Sequence, residues 1–186
     1  PTIGTGKWTK ISGPPVIIVN DTSPTSVIST LPIGSYIFEW TTTNSVCTSF
    51  DQVSITNNPS PTTASTAGTL TSICKFEEVK LVGNVPTVGT GLWTQTAGNP
   101  AIIVDPTSPT TLVSGTDVGS YTFEWTISGV GCPSSSEAVT ITILEPPTIA
   151  TVGSDQVICD GDTATLEGNT PTNGTGTWSI ISGGVG

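Results

Sequence analysis

One eight-residue stretch occurs twice in this chain, almost unchanged. Gly34-Ser35-Tyr36-Ile37-Phe38-Glu39-Trp40-Thr41 returns 85 residues later as Gly119-Ser120-Tyr121-Thr122-Phe123-Glu124-Trp125-Thr126. In each copy the aromatic residues take every second position and Thr, Glu or Ile fill the places between, the period of a strand buried on one face. The same interval of 85 separates Trp8, Trp93 and Trp178, each inside a Gly-Thr-Gly-x-Trp motif, and also Cys47 and Cys132, Cys74 and Cys159, Gly68 and Gly153, and Leu81 and Leu166. The register slips by one residue only between Asp51 and Ala64, where Val53-Ser54-Ile55-Thr56 matches Val139-Thr140-Ile141-Thr142, as an insertion in a loop would produce. Such a sequence predicts a row of similar units rather than one large core. The expected units are residues 1–59 and 146–186, both partial, and 60–145, complete. The 186 residues hold little more than two periods, so the chain reads as a fragment that starts and stops inside units.

Charge and composition remove several classes of function. Four Lys and no Arg stand against 14 acidic residues, a net charge of −10, which repels phosphate backbones and excludes nucleic acid as a natural partner. The longest apolar runs are four residues, such as Ala101-Ile102-Ile103-Val104, so no membrane insertion is expected where a helix needs roughly 20. The 21 Gly and 15 Pro fall as turn signals between periodic aromatic segments, which predicts many short strands rather than disorder.

In chain order, strands are expected around Trp8, over 16–19 and 26–29, over 36–42 and over 53–56, followed by a linker at Asn57-Asn58-Pro59-Ser60-Pro61. The complete unit repeats this pattern, with strands over 62–67, 76–82, around Trp93, over 101–104, 110–114, 121–128 and 138–144. Its turns include Asp105-Pro106-Thr107-Ser108-Pro109 and a loop at Gly129-Val130-Gly131-Cys132-Pro133, and Glu145-Pro146-Pro147 forms the next linker. The third unit supplies a first strand, another near 163–167, and Trp178.

Asp117-Val118-Gly119-Ser120-Tyr121 ahead of the aromatic strand resembles the tyrosine corner of immunoglobulin-like sandwiches, which makes that strand F and places Trp8, Trp93 and Trp178 on strand C. Pro32 stands where the second copy has Asp117, so the first corner lacks its acidic residue. Together with Ser-Pro-Thr after an Asp or Asn turn, Gly-x-Tyr-x-Phe-x-Trp, a Cys soon after, and Val-x-Ile-Thr, the whole chain resembles the PKD-like, immunoglobulin-like repeats of very large secreted surface proteins of Bacteroidota, including SprB-type gliding-motility adhesins exported by the type IX system. The resemblance implies an all-β rod of tandem β-sandwiches, an extracellular, cell-surface location, and a stalk or adhesive filament. Its partners would be neighbouring repeats of the same polypeptide, surface polysaccharide or other cell-surface proteins. The buried core is expected to contain Trp8, Trp93, Trp178, Tyr36, Tyr121, Phe123, Trp40 and Trp125.

The sequence is poor in reactive groups. It has no His, the commonest general base and metal ligand. Glu39 and Glu124 fall one per unit, so neither has the paired carboxylate of a glycosidase, and no enzyme is expected. Asp155, Asp160 and Asp162 are spaced closely enough for an oxygen-rich Ca²⁺ loop. Their counterparts one period earlier are Leu70, Lys75 and Glu77, and a site intrinsic to the repeat would recur, so the expectation is a solvated acidic turn and no cofactor, with Ca²⁺ as the alternative. Asp162-Thr163-Ala164 matches the short acceptor pattern of Bacteroidota O-glycosylation at Thr163. Stacking of sugars on Trp93 or Trp125 would make the chain a carbohydrate-binding accessory module, the alternative to a spacer.

An exported protein with paired cysteines normally oxidises them. Cys74 to Cys132 closes a long loop within the complete unit, a bridge contributing about 4 kcal/mol. The alternative joins the Cys before strand B of one unit to the F to G Cys of the next, because a sandwich carries those two positions at opposite ends. The strands missing from the partial units are expected from a longer polypeptide or from the next molecule, with residues 146–186 completing residues 1–59 head to tail.

Overall fold

The structure, a computed structural model, describes residues 4–67 and 72–182. Gly68 and Leu70, used above as landmarks, lie outside the described residues, as do the first three and last four positions. Among the described residues every regular element is a strand, and the fold is an all-β, immunoglobulin-like sandwich. Backbone contacts divide the chain into two units, Pro1–Ser65 with Asn84–Leu92 and Thr126–Ser136, and Thr66–Gly83 with Trp93–Trp125 and Glu137–Gly186.

In the first unit, β1 (Thr5–Ser12), β4 (Gly34–Asn44) and β5 (Cys47–Asn57) form an antiparallel sheet in the order β1-β4-β5, and β2 (Ile17–Ile18) pairs with β3 (Ile28–Ser29). The aromatic alternation of β4 places Tyr36 and Phe38 inward, 1% and 2% exposed. The register sets Trp8 opposite Trp40, with ring centroids 5.2 Å apart. Two glycines explain the Gly-Thr-Gly-x-Trp motif. Gly4 has φ +89°, a conformation that L side chains rarely adopt, and a Cβ on Gly6 would collide with the Trp40 ring. β4 and β5 pair all the way to Asn44 and Cys47, with Ser45 at φ +55°, so the expected F to G loop is a two-residue hairpin turn and the cysteine opens strand G.

The second unit holds β6 (Ser72–Cys74), β7 (Val79–Val82), β9 (Ile102–Ile103) and β10 (Thr110–Ser114), with the greater part of β8 (Thr90–Ala97), β11 (Gly119–Gly129) and β12 (Cys132–Leu144). Strand orders are β7-β10-β9 and β6-β12-β11-β8. Its core is Val79, Leu81, Trp93, Val113, Tyr121, Phe123, Trp125, Ile141 and Ile143, all at most 6% exposed. β6, which alternation alone does not single out, runs parallel to β12, with Cys74 registered on Leu144.

Two expected strands do not form as ladders. Over residues 62–67 only Thr66 makes a bridge, to Gly83, because side chains serve the backbone donors. Ala64 N–H donates to Ser135 Oγ, Ser65 N–H to Asn84 Oδ1 and Thr66 N–H to Glu137 Oε2, all at 2.8–2.9 Å. Residues 148–182 contain one bridge, Val152 to Gly168, and no strand over 163–167.

Candidate functional site

The chemistry-bearing residues resolve into structural parts. Tyr121 is 1% exposed and its hydroxyl donates to Asp117 O at 3.0 Å while accepting from Asp117 N–H at 2.8 Å. Tyr36 donates to Pro32 O at 2.6 Å, and the proline has no N–H to return. Asp105 Oδ1 accepts from Thr107 N–H, Thr107 Oγ1 and Ser108 N–H, which holds its carboxyl below the usual carboxylate range, chiefly through the Thr107 hydroxyl. Asn20 does the same for Thr22 with a neutral amide. Lys75 Nζ lies 2.7 Å from Asp117 Oδ1, and this bond raises the lysine and lowers the carboxyl. Glu39 accepts from Gln52 and Thr41, and Glu124 is half-buried on the outward-facing register of β11.

The Ca²⁺ candidates Asp155, Asp160 and Asp162 do not gather: among the described residues no three His, Cys, Asp or Glu side chains come together as ligands. Asp162 instead accepts from Cys159 N–H, as Glu77 one period earlier accepts from Cys74 N–H. Thr163 is exposed.

The tryptophans grade from covered to uncovered. Trp93 and Trp125 are 1% and 0% exposed, 5.2 Å apart, and Trp93 Nε1 donates to Pro109 O, so neither offers a platform for a sugar. Trp8 and Trp40 are half-buried, and Trp8 Nε1 is buried without an acceptor. Trp178, assigned to the core by its motif, is 58% exposed.

All four cysteines are free thiols, which corrects the expected Cys74 to Cys132 bridge. Cys74 is registered on Leu144, the last residue of β12, whereas Cys132 is the first residue of that thirteen-residue strand. A disulfide needs Cα atoms within about 7 Å, the span of two strand residues. Cys132 Sγ lies instead 3.7 Å from the carbonyls of Asn58 and Pro59 in the linker.

Two features have no counterpart in the sequence reading. The first is a pair of polar clamps. Thr62 Oγ1 accepts from Thr87 and Val88 N–H, and Asn84 bonds Ser65 and Thr63. Thr148 and Asn169 make the matching bonds to Thr172, Asn173, Thr151 and Ile149. The recurrence of Gly-Asn at 83–84 and 168–169 is the signal that marks them. The second is an apolar hollow of about 100 Å³ in the first unit, lined by Trp8, Ile18, Ile28, Phe38, Val53 and Ile55. Val53 is 43% exposed there, while its counterpart Val139 is half-buried.

No family model matches the sequence, and no curated protein matches it. Among solved structures, the chain is similar to fibronectin(III)-like modules of CbhA from Clostridium thermocellum, with TM-score 0.39, 12% identity, and 77% of this chain and 79% of that one covered. Murine CEACAM1b gives TM-score 0.38 and 13% identity over 76% and 86% of the two chains. The S-layer protein rSbsC gives TM-score 0.37 and 13% identity over 80% of this chain and 21% of that much longer one.

Proposed function

We propose that residues 1–59, 60–145 and 146–186 are successive modules of a large exported surface protein, of the kind that SprB-type gliding-motility adhesins and their type IX export represent, serving as stalk and adhesive surface. The observation that carries this reading is the recurrence, within one chain, of the same paired tryptophans, the same tyrosine hydroxyl bond four residues back and the same Asx turn. In such a module the polar side chains are spent on turns and clamps, and the large aromatic ones on a core. The reading needs no catalytic group, metal or cofactor, and its nearest partners are neighbouring repeats, with polysaccharide or other cell-surface proteins as what the surface adheres to.

Antiserum against the purified chain should label intact source cells, and external protease should remove the signal. Signal confined to lysed cells would overturn the assignment. Titration with polysaccharides should give no saturable change in Trp fluorescence, because Trp93 and Trp125 are covered, whereas a carbohydrate-binding module that stacks sugars on those rings would saturate.

A further inference from the structure

The four thiols occupy two places in the repeat. Cys47 and Cys132 open β5 and β12, and Cys74 and Cys159 stand ahead of strand B, one period apart. Cys74 closes β6, its bridge partner across the parallel pair is Leu144, and Lys75 N–H donates to the Leu144 carbonyl at 2.8 Å. Cys74 therefore lies where its own repeat passes into the linker Glu145-Pro146-Pro147. Cys132 lies against the linker that enters its repeat. Its Sγ is 3.7 Å from the carbonyl oxygens of Asn58 and Pro59, and the Asn58 side chain donates to Val130 O at 2.9 Å beside it.

The two places meet when the repeat is applied to them. Asn58 and Leu144 are the same position of successive units, because Val53, Ile55 and Thr56 match Val139, Ile141 and Thr142. The cross-strand hydroxyl pairs Ser35 with Thr56 and Ser120 with Thr142 hold the same register at that end of both sheets. A cysteine ahead of strand B is thus registered, one repeat earlier, on Asn58, the residue whose carbonyl Cys132 touches. Bridge partners have Cα atoms about 4.8 Å apart, and a disulfide spans up to about 7 Å. The side agrees as well. The Leu144 carbonyl faces β6, so at Asn58 the same oxygen faces the edge where that cysteine belongs, and it is this oxygen that Cys132 Sγ approaches.

We propose that a disulfide crosses each linker, joining the cysteine ahead of strand B of one repeat to the cysteine that opens strand G of the next. The interval is 143 residues, one period of 85 plus the 58 from Cys74 to Cys132, and no two of the four cysteines are that far apart, so their free thiols agree with this pairing. In forming it, two thiols give two protons and two electrons to a small-molecule disulfide such as oxidised glutathione, which leaves one S–S bond and two reduced thiols. In a stapled row, tension would pass along the 27 residues from Cys132 to Cys159 and then across a bridge, so that strands B to F carry none of it. The staple rests on the reading of the chain as successive modules, and labelling of intact cells tests that reading separately.

The test keeps the whole chain and completes one neighbour at a time. Residues 60–85 placed ahead of Pro1, which follows them in register as Pro86 does, add a counterpart of Cys74; residues 102–145 placed after Gly186, the counterpart of Ala101, add a counterpart of Cys132. After oxidation with glutathione, peptide mapping should find the first added cysteine linked to Cys132 and the second linked to Cys74, with loss of those thiols alone to alkylation. Cys132→Ser in the first chain and Cys74→Ser in the second should leave the added cysteine free. Added cysteines that stay reduced in both chains, or that pair with Cys47 in the first or Cys159 in the second, would overturn the proposal.

Discussion

Tyr121 and Tyr36 fill the same place in successive units, yet their hydroxyls are held unequally. Tyr121 exchanges two hydrogen bonds with the backbone of Asp117, and Tyr36 makes one, to a proline that cannot return the second. Removing the hydroxyl of Tyr121 strands a part-buried N–H as well as a carbonyl. Tyr121→Phe should therefore cost about 1–2 kcal/mol and Tyr36→Phe about 0.5–1 kcal/mol. Denaturant titration of the two variants checks the order, and equal losses would refute it. A second residue holds strain with no visible return. Phe76 is 90% exposed with φ +79°, and Gly161, at φ +87°, takes that turn position one period later. Phe76→Gly should leave the turn intact and raise stability by up to about 1 kcal/mol, read as a higher denaturation midpoint; a lower midpoint would mean that the contact of Lys75 with its ring outweighs the strain.

At the scale of the element, the turn ahead of β10 runs on one carboxylate. Asp105 has its folded pKa lowered by three hydrogen bonds from Thr107 and Ser108, so its contribution is fully present above the unfolded value and is lost as pH falls through the folded one. Asn20 shows that a neutral amide oxygen supports the same turn. Asp105→Asn should keep stability near neutral pH and shrink the drop between pH 6 and pH 3, measured as the shift in thermal midpoint; an unchanged drop would place the acid sensitivity elsewhere, with Asp117 the next group to test. The elements also divide by how well sequence foretells them. β4 and β11 are legible because each alternates three aromatics against polar positions, and the tyrosine and Asx turns follow from residue types whose side chains bond locally. β6 is not, since three residues with one buried Ile73 carry no period, and residues 62–67 are not, since side chains of Asn84, Ser135 and Glu137 take the place of a ladder. Trp178 misleads for a related reason. Its Gly-Thr-Gly-x-Trp motif fixes the turn before it, with Gly174 at φ +90° like Gly89 at +94°, but burial depends on strands contributed from elsewhere. Trp93→Ala should accordingly cost about 3–5 kcal/mol through the cavity left in the core, and Trp178→Ala less than about 0.5 kcal/mol, as a denaturant titration of each would read.

For the molecule as a whole, the cover over each copy of the repeat predicts how its parts open. Hydrogen exchange reports local stability, which follows buried apolar contact more than secondary structure alone. Three levels of cover are present. Tyr121, Phe123 and Trp125 of β11, with Leu81 of β7, are at most 1% exposed. In β4, Tyr36 and Phe38 are equally covered while Trp40 is half-open, and β5 leaves Val53 uncovered. Across residues 148–182 a single bridge and a few clamps hold backbone whose large apolar side chains are half to fully exposed, Ile180 and Ile181 at more than nine-tenths. Exchange in this chain should be slowest in β7 and β11, intermediate in β4 and β5, and fastest in residues 148–182, the last reaching completion at times when β11 has barely begun. If residues 148–182 proved as protected as β11, a contact would have to cover them, and the core assigned to β7, β11 and β12 could no longer be the only one that governs the stability of this chain.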